Sequence, residues 1–346
     1  MIWLGQMSQG RDNNFNLIRM VAASAVLVSH AWPLTRGPGT PEPLQALTGY
    51  SLGTLAVYVF FALSGFFVSA SFVRSGSVAD FAWARVLRLF PGLAVSVLLV
   101  ALVMGPLVTS LPLGNYLQNP GTWTFLGRNI TLVWAQYTLP GVFEANPYPA
   151  VEGSIWTLIH EVLCYGLVFA AGVTGLLRRP RLMVLALAGY AVLWLVPVLT
   201  QMPLHPKLGQ FHELSLAFVL GMAFWQGRDH IPLSALALAG LAGLAYATAA
   251  TPVGLPFLML LLTYGCFWLG HVPKGLVRRY NALGDYSYGI YVYAFPAQGL
   301  VVWLFGPQNP GLHSLLAFIP VLVMAMLSWH WVEAPALRLR RARLRP

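Results

Sequence analysis

The chain has 346 residues, of which 58% are hydrophobic and only 9% are charged, and its formal net charge is +10. Soluble domains carry about 25% charged residues, so this composition excludes a soluble enzyme. It predicts an all-α polytopic membrane protein with the lipid bilayer as a partner. The positive charge does not indicate nucleic-acid binding, because the basic residues cluster in short loops between apolar segments, as membrane topology alone requires.

Hydropathy divides the chain into ten predicted transmembrane helices, separated by charged or Pro- and Gly-rich loops. Of its 20 Lys and Arg residues, all but Arg36, Arg128 and Lys207 fall on the side that also holds both termini. Since cytoplasmic loops carry such an excess, both termini are predicted to be cytoplasmic. The predicted spans are 15–34, 50–73, 89–111, 154–177, 182–200, 211–226, 232–250, 254–271, 285–305 and 312–332.

We expect residues 1–346 to form a single transmembrane domain, with an outer loop at 112–153 and a basic cytoplasmic tail at 333–346. The first apolar segment is too long for a cleavable signal peptide and is expected to remain as the first span. Loops as long as 112–153 are usually functional or disordered. Its aromatic content favours a folded cap, with a short interfacial or re-entrant helix at about 122–136.

The cysteine content predicts no disulfide framework. Cys164 and Cys266 both lie in apolar spans and are expected to be small buried residues. No spacing of cysteines or histidines suggests a metal site.

The first predicted span contains two costly residues, Arg19 and His30, within NLIRMVAASAVLVSHAW. Taken singly, the arginine is explained by snorkelling to the interface and the histidine by ordinary packing. Taken together, eleven helical steps bring both to one helix face about 16 Å apart. Arginine suits phosphate binding and histidine suits proton transfer at neutral pH. The pair therefore predicts a phosphate-binding group and a catalytic base on one helix.

A second motif, GSIWTLIHEVLCYG at 153–166, places Glu161 inside the fourth predicted span, about level with the histidine of the first. Ionisable residues at such depth are functional candidates by default. Tyr165 lies one turn further on the same face, and Trp156 marks the outer edge of the span. His160 points about 100° away and is expected to contact a neighbouring helix.

The motif ARVLRLFPG at 84–92 carries Arg85 and Arg88 with i, i+3 spacing, so their heads share one helix face. Topology alone explains them as cytoplasmic anchors. Beside Arg19 they would form a three-arginine phosphate site.

Two further motifs place polar groups in apolar spans. VFFALSGFFVS at 59–69 contains Ser64, and GDYSYGIYVYAFPAQ at 284–298 contains Tyr288 and Tyr291. Helix packing explains the serine and interfacial anchoring explains some of the tyrosines. The alternative is that these hydroxyls line a substrate cavity.

Together these motifs resemble the membrane-bound acyltransferase-3 family of bacterial O-acyltransferases that modify surface sugars. The resemblance runs from Asn16 to Pro335 and so covers essentially the whole chain. The matching motifs, in family order, are Arg19 with His30, Phe61-Ala-Leu-Ser64-Gly65-Phe66, Arg85-Val-Leu-Arg88-Leu-Phe-Pro91, Gly153-Ser154-Ile-Trp156-Thr-Leu-Ile-His-Glu161 and Ser287-Tyr288-Gly-Ile-Tyr291.

The resemblance implies a protein of the bacterial inner membrane that uses acyl-CoA, most commonly acetyl-CoA, as a cytoplasmic co-substrate and no permanently bound cofactor. Its acceptor would be a carbohydrate hydroxyl of an exopolysaccharide, an O-antigen or a lipid-linked glycan. The family precedent assigns coenzyme binding to Arg19, Arg85 and Arg88, and the chemistry to His30 and Glu161. We expect the remaining candidates to bind substrate; they are Ser64, Trp156, Tyr165, Tyr288 and Tyr291.

Two mechanisms stay open for His30. It acts either as general base on the acceptor hydroxyl or as a nucleophile that forms an acyl-histidine intermediate. A transporter or flippase of a lipid-linked sugar, and a non-catalytic assembly subunit, are the alternative functions. The enzyme predicts CoA release, whereas the alternatives do not.

Overall fold

The computed structural model describes residues 2–8, 10, 12–75 and 77–343. Within them the fold is helical apart from one short pair of antiparallel strands, β1 (Ile2–Trp3) and β2 (Pro232–Leu233). The expectation of an all-α protein is therefore confirmed in its essentials.

Most helices follow one another with short connections, and the longest connection covers residues 132–155. Two of these connections are π-helical turns, Val100–Met104 and Trp329–Glu333, which join neighbouring helices without a break. The helices are α1 (Leu4–Met7), α2 (Phe15–Arg36), α3 (Pro43–Thr48), α4 (Leu52–Arg74), α5 (Val78–Leu99), α6 (Gly105–Val108), α7 (Leu113–Gln118), α8 (Pro120–Thr131), α9 (Trp156–Val173), α10 (Pro180–Thr200), α11 (Pro206–Gly227), α12 (Ala235–Thr248), α13 (Gly254–His271), α14 (Leu276–Arg279), α15 (Ser287–Phe305), α16 (Pro310–Ser328) and α17 (Ala334–Arg343).

Among the described residues, 8 helices are long and apolar enough to cross a membrane, which identifies a multi-pass membrane protein. Every predicted span coincides with a helix, but α11 and α12 do not meet the criterion of length and apolar character for crossing a membrane. α11 carries Lys207, His212 and Glu213 in its first half, and α12 has only 14 residues. At 1.5 Å per residue, α12 is about 9 Å short of a 30 Å hydrocarbon core. The count of ten spans and their orientation stay predictions.

Two predicted boundaries differ from the structure. A span predicted from hydropathy ends at charged residues, whereas the helix continues through them. The third span was expected from residue 89, yet α5 begins at Val78, so Arg85 and Arg88 lie inside the helix. The basic tail is helical as far as Arg343, continuing the last apolar helix. Arg11 and residues 344–346, which count toward the predicted charge bias and the tail, lie outside the described residues.

The loop at 112–153 is folded, as its composition predicts. It contains α7 and α8, the latter overlapping the short helix expected at 122–136. The Asn129 side chain donates to the Gln136 carbonyl and accepts from the Gln136 amide, each at 2.8 Å. A cavity of about 390 Å³ lies in this loop, with Gln136, Thr138 and Glu144 in its wall.

The chain divides into two compact units. Four of the five boundaries along the chain fall inside α2, α4, α5 and α9, and the fifth precedes α15. Unit 1 contains the chain up to Ile18, with Val57–Phe81 and His160–Leu283. Unit 2 contains Arg19–Ala56, Ala82–Ile159 and the chain from Gly284 onward.

Each unit has its own aromatic core. In unit 1, Phe15 and Phe66 pack around Phe267, with ring centroids 5.8 and 4.6 Å from it. In unit 2, Leu34 and Ala150 pack against Phe295. Cys164 and Cys266 are buried and free, as predicted.

Two glycines of unit 1 allow α4 and α11 to approach each other backbone to backbone. A Cβ added at Gly65 would overlap the Phe218 carbonyl, and one at Gly221 would overlap the Ala62 carbonyl. Small residues permit such close helix contacts in membranes, where packing rather than the hydrophobic effect drives association.

We predict that Gly221→Ala destabilises the protein by about 1–3 kcal/mol, because a methyl group at this contact forces the helices apart. Gly209, on the same helix, has no heavy atom within 4 Å of its Cβ position, so Gly209→Ala is the matched control. Thermal unfolding in detergent measures the difference. Equal unfolding temperatures for the two variants would contradict the close contact.

Candidate functional site

A buried carboxylate in unit 2 holds two of the predicted arginines. Arg88 Nη2 lies 2.6 Å and Arg19 Nη1 lies 3.4 Å from the same oxygen, Oδ2 of Asp285. The Ser287 hydroxyl donates to the other oxygen at 2.5 Å. The carboxylate is 9% exposed and each arginine side chain 24%, so the three charges meet in a poorly solvated place.

Asp285 stays ionised there. Burial alone would raise its pKa, but the charges of Arg88 and Arg19, with hydrogen bonds from Ser287 and Arg88, outweigh burial and lower the pKa to about 2. The cluster of Arg19, Arg88 and Asp285 therefore has one net positive charge at neutral pH.

Two other predicted residues adjoin this cluster. Arg85 lies three residues before Arg88 on α5 and is half-buried. The Arg88 guanidinium lies 5.9 Å from the centre of the Tyr288 ring, within the range of a cation–π contact. The Tyr288 hydroxyl donates to the Leu89 carbonyl at 2.6 Å, which fixes the ring against α5.

His30 lies on α2, the helix that also carries Arg19, so the predicted spacing of about 16 Å along one helix holds. Its imidazole meets the Phe295 ring edge to face, with centroids 5.1 Å apart. Its Nδ1 is buried and has no hydrogen-bond partner in the described part of the chain. Gln298 donates to the Leu27 carbonyl at 2.9 Å, one turn before His30, and so ties α15 to α2.

Tyr291 binds the start of α9. Its hydroxyl donates to the Ser154 carbonyl at 2.8 Å and shares a 2.5 Å hydrogen bond with Thr157. The Tyr291 hydroxyl is thus hydrogen-bonded to the G-S-x-W motif. Trp156 of this motif is the first residue of α9 and is half-buried.

Unit 1 brings two predicted residues, Tyr165 and Ser64, to Glu161. Tyr165 donates to Glu161 Oε1 at 2.5 Å, as expected for residues one turn apart, and Ser64 donates to the same oxygen at 3.3 Å. His160 instead stacks on Phe211, with ring centroids 6.3 Å apart, which confirms that it faces a neighbouring helix.

Three carboxylates were not singled out from the sequence, namely Asp285, Glu152 and Glu333. Asp285 is the first residue of a predicted span, so the rule that ionisable residues in spans are functional candidates would have found it. Glu333 is buried, accepts a hydrogen bond from Ser328 at 2.9 Å and interacts electrostatically with Arg88. Glu152 follows no pattern that a single sequence reveals.

We predict that Asp285→Asn destabilises the protein by about 1–3 kcal/mol at pH 7, because it leaves two arginines without their counter-ion. The folded pKa lies below the ordinary value of 3.8, so the contribution is present above about pH 4 and is lost as pH falls toward about 2. Thermal unfolding in detergent between pH 7 and pH 3 measures both effects.

The control is Asp229→Asn, which removes an ion pair whose carboxylate is 64% exposed. Exposed pairs contribute little, so this variant should unfold like the wild type. A wild type and Asp285→Asn variant with the same stability at pH 7 would show that Asp285 is not needed as a counter-ion.

The comparisons with known proteins agree with the motifs. The family model described as an acyltransferase domain matches residues 12–330. The chain is 29% identical over 355 residues to an O-acetyl transferase of Shigella phage Sf6, covering 93% of this chain and 95% of that protein. It is 28% identical over 374 residues to Nodulation protein 10 of Rhizobium leguminosarum bv. viciae, covering 96% and 95%. No solved structure matches it. Because one family model spans almost the whole chain, the protein belongs to the acyltransferase-3 family of multi-pass membrane acyltransferases.

Proposed function

We propose that the protein transfers an acetyl group from acetyl-CoA, on the cytoplasmic side of a bacterial inner membrane, to a carbohydrate hydroxyl of a surface or lipid-linked glycan. Membership of the acyltransferase-3 family supports the reaction class, and the similarity to an O-acetyl transferase supports the acetyl group. The observation that carries the proposal is the meeting of Arg19 and Arg88 at Asp285, since Arg19 lies on the same helix as His30.

The arginine cluster is suited to the phosphates of coenzyme A. Two guanidinium groups repel each other, and Asp285 holds Arg19 and Arg88 side by side before any anion arrives. A guanidinium has five N–H donors, and the ion pairs with Asp285 use one nitrogen of each. Arg85, one turn earlier on α5, supplies a third cation to the same helix face.

His30 would then act on the reacting groups. The acceptor hydroxyl attacks the thioester carbonyl while the imidazole takes the hydroxyl proton, the carbon–sulfur bond breaks, and the proton passes to the sulfur of coenzyme A. In the second route a ring nitrogen of His30 attacks the thioester carbonyl, the carbon–sulfur bond breaks, and coenzyme A leaves as its thiol with the proton of the other ring nitrogen. The acetyl group then passes from the ring nitrogen to the acceptor hydroxyl, whose proton restores the neutral imidazole. Mass analysis of the protein after brief incubation with acetyl-CoA distinguishes the routes, since only the second adds an acetyl group to His30.

We assign Glu161 and its two hydrogen-bonding partners to the acceptor. Ser64 and Tyr165 both donate to Oε1, which fixes the orientation of the carboxylate. A carboxylate oriented in this way can accept hydrogen bonds from sugar hydroxyls. Trp156 and Tyr291, at the G-S-x-W motif, are the remaining candidates for contact with the sugar.

We predict that Arg85→Gln weakens acetyl-CoA binding about 10- to 150-fold, the loss expected when one charged hydrogen bond of about 1.5–3 kcal/mol is removed. Arg85 is a cleaner test than Arg88, which also holds Asp285. Titration calorimetry of the protein in nanodiscs gives the affinity. Exposed Arg74 lies on the side predicted to be cytoplasmic, and Arg74→Gln is the control; equal affinity in both variants would remove Arg85 from the donor site.

We predict that His30→Ala lowers the rate of acetyl transfer about 10²- to 10⁴-fold, because the variant lacks the imidazole that takes the hydroxyl proton. The assay measures label transferred from radioactive acetyl-CoA to surface glycan purified from cells that lack the gene. His205→Ala, at an exposed histidine, is the control and should be fully active. Full activity of a folded His30→Ala variant would refute the assignment, and a wild type that moves glycan without releasing CoA would favour a flippase.

A further inference from the structure

Glu152 has a carboxyl group that is buried without hydrogen bonds to the described residues. It lies at the end of the 112–153 loop, two residues before Ser154, and is 0% exposed. Neither of its carboxyl oxygens has a hydrogen-bond partner among the described residues. Its backbone is nevertheless fixed, since the amides of Val151 and Glu152 donate to the Tyr137 carbonyl at 2.7 and 3.2 Å.

Such a group needs an explanation. Nearly all buried polar side chains in proteins have hydrogen-bond partners, and an unsatisfied one destabilises the fold. Burial also raises the pKa of Glu152 to about 8, so the side chain is a neutral carboxylic acid at pH 7. A neutral acid offers one O–H donor and retains acceptor capacity, but it has no charge with which to hold a cation.

Phe295 connects Glu152 to the catalytic histidine within unit 2. The Phe295 ring packs edge to face on His30 at 5.1 Å. The same ring lies so close to Gly153 that any side chain there would overlap it. Gly153, beside Glu152, and the imidazole of His30 thus touch one ring. Both Glu152 and His30 have buried polar atoms without a hydrogen-bond partner among the described residues.

We propose that Glu152 belongs to the acceptor-binding site, where its carboxyl group exchanges hydrogen bonds with carbohydrate hydroxyls next to the one that His30 deprotonates. This assignment rests on the proposed function. Neighbouring hydroxyls of a sugar each donate and accept a hydrogen bond, so they can satisfy both oxygens of a neutral acid. Glu152 would be a binding residue that selects and positions the acceptor, with no part in the proton transfer itself.

The test compares Glu152→Gln, which keeps a donor and an acceptor, with Glu152→Leu, which removes both and keeps a similar volume. Steady-state kinetics use acetyl-CoA and the glycan purified from cells lacking the gene. We expect Glu152→Leu to raise the KM for glycan at least tenfold and to leave the KM for acetyl-CoA within twofold. Glu152→Gln should stay within threefold of the wild type for both substrates.

A purely structural carboxyl group would behave differently. Glu152→Leu would then have a wild-type KM for glycan and raised thermal stability, because an apolar side chain replaces an unsatisfied one, and this result would overturn the assignment. An equal rise in both KM values would also overturn it. Glu152→Met repeats the comparison if the leucine variant does not fold.

The same experiment distinguishes an error in the proposed function from an error in the role of Glu152. A wild type that transfers no acetyl group from acetyl-CoA to the glycan overturns that function together with the role of Glu152. If the wild type is active and Glu152→Leu has an unchanged KM for glycan, only the role of Glu152 is overturned.

Discussion

The charge cluster of unit 2 depends on one carboxylate, Asp285. Two arginine side chains in a poorly solvated place would repel each other and lose their hydration, and each penalty grows as the local dielectric falls. Asp285 removes both penalties by accepting from Arg88 and Arg19 through a single oxygen, while Ser287 fixes the other. Asp285 therefore offsets the repulsion that would otherwise separate the two guanidinium groups.

Hydrogen bonds between helices also hold two other polar groups. Ser64 on α4 orients Glu161 on α9, and Tyr291 on α15 holds the backbone at Ser154. Hydrogen bonds across helices fix polar side chains in positions that apolar packing alone leaves free. Glu152 differs from them, because its backbone is fixed by hydrogen bonds but its carboxyl oxygens have no partner in the part of the chain that the structure describes.

Much of the fold and part of the site were predictable from the sequence. Apolar length identifies the helices, and the spacing of Arg19 and His30 or of Glu161 and Tyr165 fixes which residues share a helix face. Hydropathy misplaced the start of α5, because it treats Arg85 and Arg88 as the end of a span. The family resemblance supplied the reaction class, which spacing alone does not contain.

Contacts between distant segments could not be predicted in this way. Arg19 and Asp285 are 266 residues apart, and no periodicity links them. The burial of Glu152 could not be predicted from the sequence either, since the residue lies in a loop, where an acidic side chain is usually exposed. Both depend on how helices pack, which a single sequence encodes only in the sum of many weak preferences.

The wide separation of Arg19, Arg88 and Asp285 along the chain has a consequence for biogenesis. Helices enter the membrane in the order of synthesis, so the arginines of α2 and α5 are made long before the carboxylate that precedes α15. During that interval both cations lack this counter-ion and must rely on water, lipid phosphates or the insertion machinery. Pairing with residue 285 then joins the beginning and the end of the chain. The cluster of Arg19, Arg88 and Asp285 is therefore complete only after the chain has been synthesised as far as α15.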